Sequence, residues 1–460
     1  MTMLLENALG VVRHARHVDR DMAVAIEGRQ ICAVGPTAEL RAAYPAAARV
    51  DCSGLLLLPG MINAHNHVYE VVLRGVRRTT ALEDWLRTLI YPVARVMTAQ
   101  DYYHAGVLGA ADAVRTGTTS LVSQLTNFAR FHADEEARAF RDVGIRARVA
   151  RAASTSSSID PTEEGTPDAE FADTAAFIDR WAEGDLVRGQ VGPAGLFSCD
   201  DDTLLRLKRL ATETGGNFYI HLAETRGQTE AAKRRGFRGQ IDQARQIGLL
   251  DEQTVVAHAV WVDDEEIEML AAAGVSVVHN PSSNMVLASG IAPVVKLRER
   301  GVRVSVATDG PASNDAQDMV AEMKAAVGVA RVSTLDPAAL TAHDALEMAT
   351  TAGTAAIGMD GRLGRIEPGQ LADVVGIRML DNPSLEPVTD PIGSLVFAGS
   401  GRDVALTIVD GQVLFRGGDF PTMDVAASMA YVRHETLPRV QRALGIEPGS
   451  AWYTDVTRSS

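Results

Sequence analysis

The sequence predicts an α/β protein: a (β/α)₈ barrel with a small composite β-sandwich domain built from both chain ends. Three observations carry that expectation. The chain has 460 residues, too many for one simple core and a suitable length for a barrel plus a smaller companion. Its middle alternates short apolar runs with amphipathic stretches, the pattern of parallel strands and their covering helices. Its two ends are instead β-rich.

Taken in order, residues 22–26 and 30–34 alternate around Glu27-Gly28-Arg29, a hairpin-like turn. The apolar run 55–58 stops at Pro59-Gly60. Barrel strands are expected at 61–65, 118–122, 145–149, 189–191, 218–222, 254–258, 275–279 and 302–307, with helices at 133–142, 200–214, 226–247, 263–273 and 293–300. Eight strands over roughly 250 residues suit a closed barrel. An open doubly wound sheet is the alternative, but no Gly-rich phosphate turn follows a strand. Further strands are expected at 372–377 and 404–409, and Asp410-Gly411 is a hairpin turn before 412–415. Residues 425–444 read as a helix. The expected division is therefore 1–59 with 365–424 as the composite β domain, 60–364 as the barrel, and 425–460 as a C-terminal helix and tail.

Composition narrows the function classes. Hydrophobic residues are 46% and charged residues 22%, a folded balance, while aromatics at 5% argue against a base-stacking surface. Against 44 Lys and Arg stand 59 Asp and Glu, a net charge of −15. Such a surface repels phosphate backbones and anionic lipid, so neither nucleic acid nor membrane is expected as a partner. Cys32, Cys52 and Cys199 have no ligand-like spacing, which fits a reducing compartment. With no apolar run of about 20 residues and no basic leader region, a cytoplasmic protein is expected.

The chemistry-bearing residues fall at strand ends. His65 and His67 close the first barrel strand, where positions i and i+2 point to one side. Alone, such a pair is more often two surface histidines. But His221 ends the fifth strand, His258 the sixth, His279 the seventh, and Asp309 follows the eighth. All gather at the rim where barrel enzymes place their chemistry. Three imidazoles and a carboxylate suit one divalent ion, Zn²⁺ first, with Fe²⁺ or Co²⁺ also feasible. An ion of this kind brings the pKa of a bound water toward neutrality and so supplies hydroxide. Glu224, three residues after His221, is placed to move a proton. Asp309 can both bind metal and accept a hydrogen bond from the nucleophilic water. His258 can hold the nucleophile or polarise the attacked carbon's substituent, and a second-metal role is its competing reading.

These segments are similar to the amidohydrolase superfamily, in particular its aminohydrolase and chlorohydrolase subgroup, which includes adenosylhomocysteine, 8-oxoguanine and s-triazine deaminases and hydrolases. The resemblance runs through Leu58-Pro59-Gly60-Met61-Ile62-Asn63-Ala64-His65-Asn66-His67, Leu73-Arg74-Gly75, Gly117-Thr118-Thr119 and His221-Leu222-Ala223-Glu224. It continues through Asn280-Pro281-Ser282-Ser283-Asn284, Thr308-Asp309-Gly310, Ser313-Asn314-Asp315 and Gly364-Arg365-Ile366-Glu367-Pro368-Gly369. It implies metal binding by His65, His67, His221 and Asp309, with Glu224 as proton shuttle and His258 beside the nucleophile. It also implies a homodimer or larger homo-oligomer. Two-metal relatives carry a bridging lysine at the end of strand four. Here that stretch reads Gln190-Val191-Gly192-Pro193-Ala194-Gly195-Leu196, without lysine, which implies the one-metal type. The expected activity is hydrolytic deamination of a small purine-, pterin- or s-triazine-like heterocycle. The alternatives are another leaving group on the same mechanism (chloride, alkylamine or an amide) or a non-catalytic scaffold. Trp85 and Gln124 are candidate substrate contacts, with Tyr69 and Glu70 behind them. Cys199 reads as a buried, inert thiol.

Overall fold

Five strands open the chain: β1 (Thr2–His14), β2 (His17–Glu27), β3 (Gln30–Pro36), β4 (Ala48–Asp51) and β5 (Leu55–Pro59). The barrel follows as β6 (Met61–Asn66), β7 (Thr118–Leu125), β8 (Arg146–Arg151), β9 (Val187–Val191), β10 (Phe218–Leu222), β11 (Thr254–His258), β12 (Ser276–His279) and β13 (Arg303–Val306). Then come β14 (Val374–Arg378), β15 (Val404–Val409) and β16 (Gln412–Arg416). This computed structural model describes residues 2–76, 79–156, 162 and 165–447, so the expected tail from residue 448 onward lies outside the described residues.

The eight middle strands pair in sequence order from β6 to β13, each parallel to its neighbour. Every strand from β6 to β8 is buried throughout, polar positions such as Asn63, Ser120, Ser123, Arg146 and Arg148 included. The seam between the last and first strands is drawn together at its upper end: the Asp309 N–H donates to the His65 carbonyl at 3.1 Å, and the Thr308 N–H to Asn63 Oδ1 at 3.0 Å. The barrel interior is packed by Ile62, Ala64, Val122, Ala150, Tyr219, Val255, Ala257, Val278 and Ala307. Small residues at four of these positions leave room for imidazoles above them.

Strands from both ends share a second sheet, ordered β16-β15-β14-β5-β1-β2-β3, with β4 on β1. The expected hairpins are present as β2–β3 and β15–β16. β5 leads straight from this sheet into β6 through Gly60. A Cβ there would lie 2.0 Å from the Thr119 hydroxyl, so only glycine lets the chain pass that close.

One expected helix is different. Residues 226–247 form two helices, Arg226–Arg234 and Gln240–Ile247. Gly236 takes a left-handed φ of 93°, and Glu266 Oε1 receives the Ile241 N–H at 3.0 Å to start the second helix. The break carries Gln240 inward, where its Oε1 accepts the Ala223 N–H at 2.6 Å. The C-terminal stretch is helical from Val425 to Ala443, with a wider turn over Val432–Thr436. Among the described residues no helix is long and apolar enough to cross a membrane.

Candidate active site

Four imidazoles meet at the carboxyl ends of the barrel strands. His65 leaves β6 and His67 follows it directly; their rings are 5.0 Å apart. His221 on β10 lies 4.8 Å from the His65 ring and 5.3 Å from the His67 ring, and His258 on β11 lies 5.4 Å from His221. Asp309 joins from the far side of the seam, its Oδ1 3.3 Å from His65 Nε2 and 3.6 Å from His67 Nε2.

Each ring is oriented by what its other nitrogen touches. His67 Nδ1–H donates to the Gln124 carbonyl at 2.6 Å, and His221 Nδ1–H to the Ala194 carbonyl at 2.7 Å. That fixes the tautomer of both and leaves each Nε2 as a bare lone pair. These two Nε2 atoms face one another at 3.3 Å, an arrangement that repels unless a cation sits beside them. Both ring nitrogens of His65 are buried without a hydrogen-bond partner, an unusual cost for a polar ring inside a protein. A divalent ion relieves the first condition and gives one of the two His65 nitrogens a partner. His65, His67 and Asp309 offer atoms close enough to share one ion, as do His65, His221 and His258, so the donor set fits a metal of the kind N/O ligands favour. His279, expected on the same rim, is buried with an unpartnered Nδ1 but belongs to neither group. Burial lowers its pKa to about 3, keeping it neutral.

Electrostatics follow burial. Desolvation is the largest influence on His65, His67 and His221, pushing His67 down to about 4 and His221 well below the usual histidine value. Burial works to raise Asp309, but the facing charges of His65, His258 and His67 outweigh it and hold the carboxyl well below its ordinary range. Ser283 Oγ donates to Asp309 Oδ2 at 2.6 Å, and the Gly310 N–H to Oδ1 at 2.7 Å.

Glu224 stands above this floor. Its Oε2 is 3.9 Å from His258 Nε2, and the Ser289 hydroxyl donates to its Oε1 at 3.4 Å. Burial raises its pKa, the direction a proton carrier at neutral pH needs. Its backbone is clamped: the Glu224 and Thr225 N–H groups both donate to Gln228 Oε1, at 3.0 and 3.2 Å. His258 Nδ1–H donates to Asn284 Oδ1 at 2.9 Å, which turns Nε2 toward Glu224 and Asp309. Ala223, His258 and Asp309 all have left-handed φ, of 54°, 77° and 62°, and such strain concentrates at functional sites.

A cleft of about 540 Å³ opens over these groups. Its polar floor is His67, His221, His258, Asp309 and Glu224, and Leu82, Trp85, Leu86, Phe197 and Leu287 wall it. Trp85 is thus where a substrate contact was expected. Gln124 is not: it is fully buried and absent from the cleft lining. Its Nε2 donates to the Gly192 and Pro193 carbonyls at 3.0 Å each, so its amide braces the end of β9, while its carbonyl orients His67. Glu70 lines the cleft and Tyr69 does not. Cys199 is buried against the Ala153 carbonyl, and burial raises its thiol to about 11. Ser283, Asn284 and Ser289 had no role in the sequence reading. The signal for Ser283 and Asn284 was the Asn280-to-Asn284 motif, which forms the short helix Pro281–Val286 after β12, and that for Ser289 was the Leu287-Ala288-Ser289 continuation.

The sequence pattern of the amidohydrolase family matches residues 56–414, and that of an imidazolonepropionase-like composite domain of bacteria matches residues 23–47. The chain is 36% identical over 414 residues to a 5-methylthioadenosine/S-adenosylhomocysteine deaminase of Syntrophobacter fumaroxidans, covering 90% of this chain and 92% of the relative. It is also 36% identical over 378 residues to a 5'-deoxyadenosine deaminase of Methanothermobacter thermautotrophicus, covering 82% and 85%. Among solved structures, a zinc-bound adenosine deaminase from Xanthomonas campestris superposes with a TM-score of 0.89 at 30% identity, over 96% of this chain and 98% of that one. An atrazine chlorohydrolase from Arthrobacter aurescens shares the fold, with a TM-score of 0.87 at 23% identity, over 95% of this chain and 100% of that one.

Proposed function

This chain belongs to the amidohydrolase family and is a hydrolase of C–N bonds in N-heterocycles; from that premise we propose that it deaminates the 6-aminopurine ring of an adenosine derivative, with one zinc ion as cofactor. The observation that carries this reading is Glu224, buried and 3.9 Å from His258 Nε2, over a floor of convergent imidazoles and beneath apolar walls. His65, His67, His221 and Asp309 would hold the ion. When bound, it supplies Lewis acidity and lowers the pKa of a coordinated water.

The protein's own groups do the rest. Trp85, Phe197 and Leu287 wall the cleft with apolar surface, which favours a flat heterocycle over a charged chain. Glu224, with its raised pKa, delivers a proton to the ring nitrogen next to the amino-bearing carbon, so that negative charge does not build on the ring as water adds. His258, held by Asn284, keeps a lone pair directed at the incoming oxygen. Asp309, held ionised, takes a proton from that oxygen, and Ser283 holds the carboxylate in position. The amino group takes the proton held on Asp309, the C–N bond breaks and ammonia leaves, while the remaining hydroxyl proton returns to Glu224 as the ring becomes a lactam.

A release screen tests this directly. Adenosine, 5'-deoxyadenosine, 5'-methylthioadenosine, S-adenosylhomocysteine, guanine, pterins and chloro-s-triazines are each incubated with the metal-loaded enzyme while ammonia and chloride are followed in parallel. Ammonia from the 6-aminopurine nucleosides is expected. Chloride release from triazines with no ammonia from any purine overturns the reading.

A further inference from the structure

At the opposite end of the barrel, where the strands begin, a second cavity of about 800 Å³ lies among β8, β9 and the turn before β10. Arg148 and Arg188 both line it, and they sit in register on neighbouring parallel strands. Two like charges side by side on a sheet repel. Arg148 is 6% exposed, and its hydrogen bonds go to backbone carbonyls: Nε donates to Ile357 at 2.9 Å, Nη1 to Ala147 at 3.1 Å and Asp185 at 3.3 Å. Among the described residues neither guanidinium forms an ion pair with a carboxylate. Other buried arginines here do: Arg146 with Asp373 and Arg130 with Glu170. Gln190, also lining the cavity, is buried with an amide nitrogen that has no partner. Gly215 and Gly216 bring bare backbone to the same wall. Burial first, then the neighbouring charges of Arg146, Arg188 and Arg362, lower the Arg148 guanidinium to about 9, against the Asp185 charge that raises it.

An unpaired buried cation is costly, and the cost falls when an anion completes it. We propose that this cavity is an anion site in which Arg148 and Arg188 grip a phosphate-class oxyanion, either free phosphate or the phosphate group of a small metabolite. The paired planar forks match an oxyanion that can accept several hydrogen bonds at once. The site is remote from the histidine cluster and does not rest on the deaminase reading. Two carboxylates oppose the anion: Asp179, exposed and on the same wall, and Asp185, which is outside the lining but whose charge reaches Arg148.

Titration of the full-length protein with inorganic phosphate, by calorimetry and by thermal melting at constant ionic strength in chloride, tests the site. Wild type is expected to bind saturably with a rise in Tm. R188Q should weaken binding at least tenfold, and D179N should tighten it. R148M should abolish binding and, without phosphate, melt above wild type because the unpaired charge is gone. Should R148M fail to fold, R188Q and D179N decide the matter, since their positions are half-buried and exposed. Ribose 5-phosphate binding more tightly than phosphate assigns the site to a phosphorylated metabolite; equal or weaker binding assigns it to the free ion. The same phosphate response in wild type and R188Q, or no saturable response, overturns the proposal.

Discussion

Glu224 and Asp309 are both buried carboxylates on one floor, yet their surroundings send them in opposite directions. Glu224 faces one imidazole at 3.9 Å and burial dominates, so its pKa rises. Asp309 faces His65, His67 and His258, and their combined charge outweighs burial. Two carboxyl groups whose environments separate them in this way divide acid and base roles. Glu224→Gln should therefore retain metal, measured by elemental analysis, while turnover falls by about 10²–10⁴-fold. Near-normal turnover would remove Glu224 from the mechanism. Asp309→Ala should lose both metal and activity if, as proposed, Asp309 serves as a ligand as well as a base. A variant that kept its full metal content would rule out that ligand role. Of these groups the sequence showed the type and order, since strand ends are visible as apolar runs stopping at His or Asp. It did not show Ser283 or Ser289, because a lone hydroxyl in a helix of six residues, or in the loop after it, has no periodicity to mark it.

Among the elements, the helix Ala133–Val143 carries a buried charge-capable group under the site loop. Glu136 is fully buried, and desolvation raises its carboxyl to about 8. The sign follows from linkage. Below about 4.5 the carboxyl is protonated in both folded and unfolded chains, and no stability depends on pH. Between that value and about 8 the unfolded chain ionises while the folded one keeps its proton, so stability falls as pH rises. Glu136→Gln should flatten that decline, with the variant gaining on wild type from pH 5 to pH 8 by roughly a few kcal/mol in denaturant melts. Parallel pH profiles for the two proteins would show that Glu136 ionises freely in the fold. The broken helix at 226–247 belongs at this scale too. Its amphipathic pattern continues across Gly236 and Gly239, so periodicity alone joins the halves. The break is decided by Glu266 and by Gln240 reaching Ala223, contacts from outside the segment.

For the whole molecule, the two sheets are tied by Arg146. It lies at the start of β8, 1% exposed, and its Nη2 meets Asp373 Oδ1 and Asp410 Oδ1, each at 3.0 Å. Asp373 precedes β14 and Asp410 sits in the β15–β16 turn, so one guanidinium joins barrel and composite sheet. Removing one partner of a buried ion cluster strands the others, and Arg146→Ala should cost about 3–5 kcal/mol. Calorimetry reads this as a lower Tm, and an unchanged Tm would show that the two bodies do not depend on this contact.

The sequence by itself determined the barrel, its eight strands, the shared sheet of the two ends and the identity of the rim residues. Each of these rests on local signals: apolar runs, turn residues, and chemistry placed where a run stops. Only the tertiary structure decided which of those residues face one another. Alternation along β11 puts Val255 and Ala257 in the barrel interior, which by itself directs His258 away from it. Its left-handed backbone and the Asn284 contact turn it back over the floor. Gln124, on a strand end like the clustered histidines, is instead drawn into the wall by the carbonyls of Gly192 and Pro193. The physical reason is the same in both cases: orientation at a strand end is set by hydrogen bonds from residues distant in the chain, and those partners have no spacing that a sequence can display.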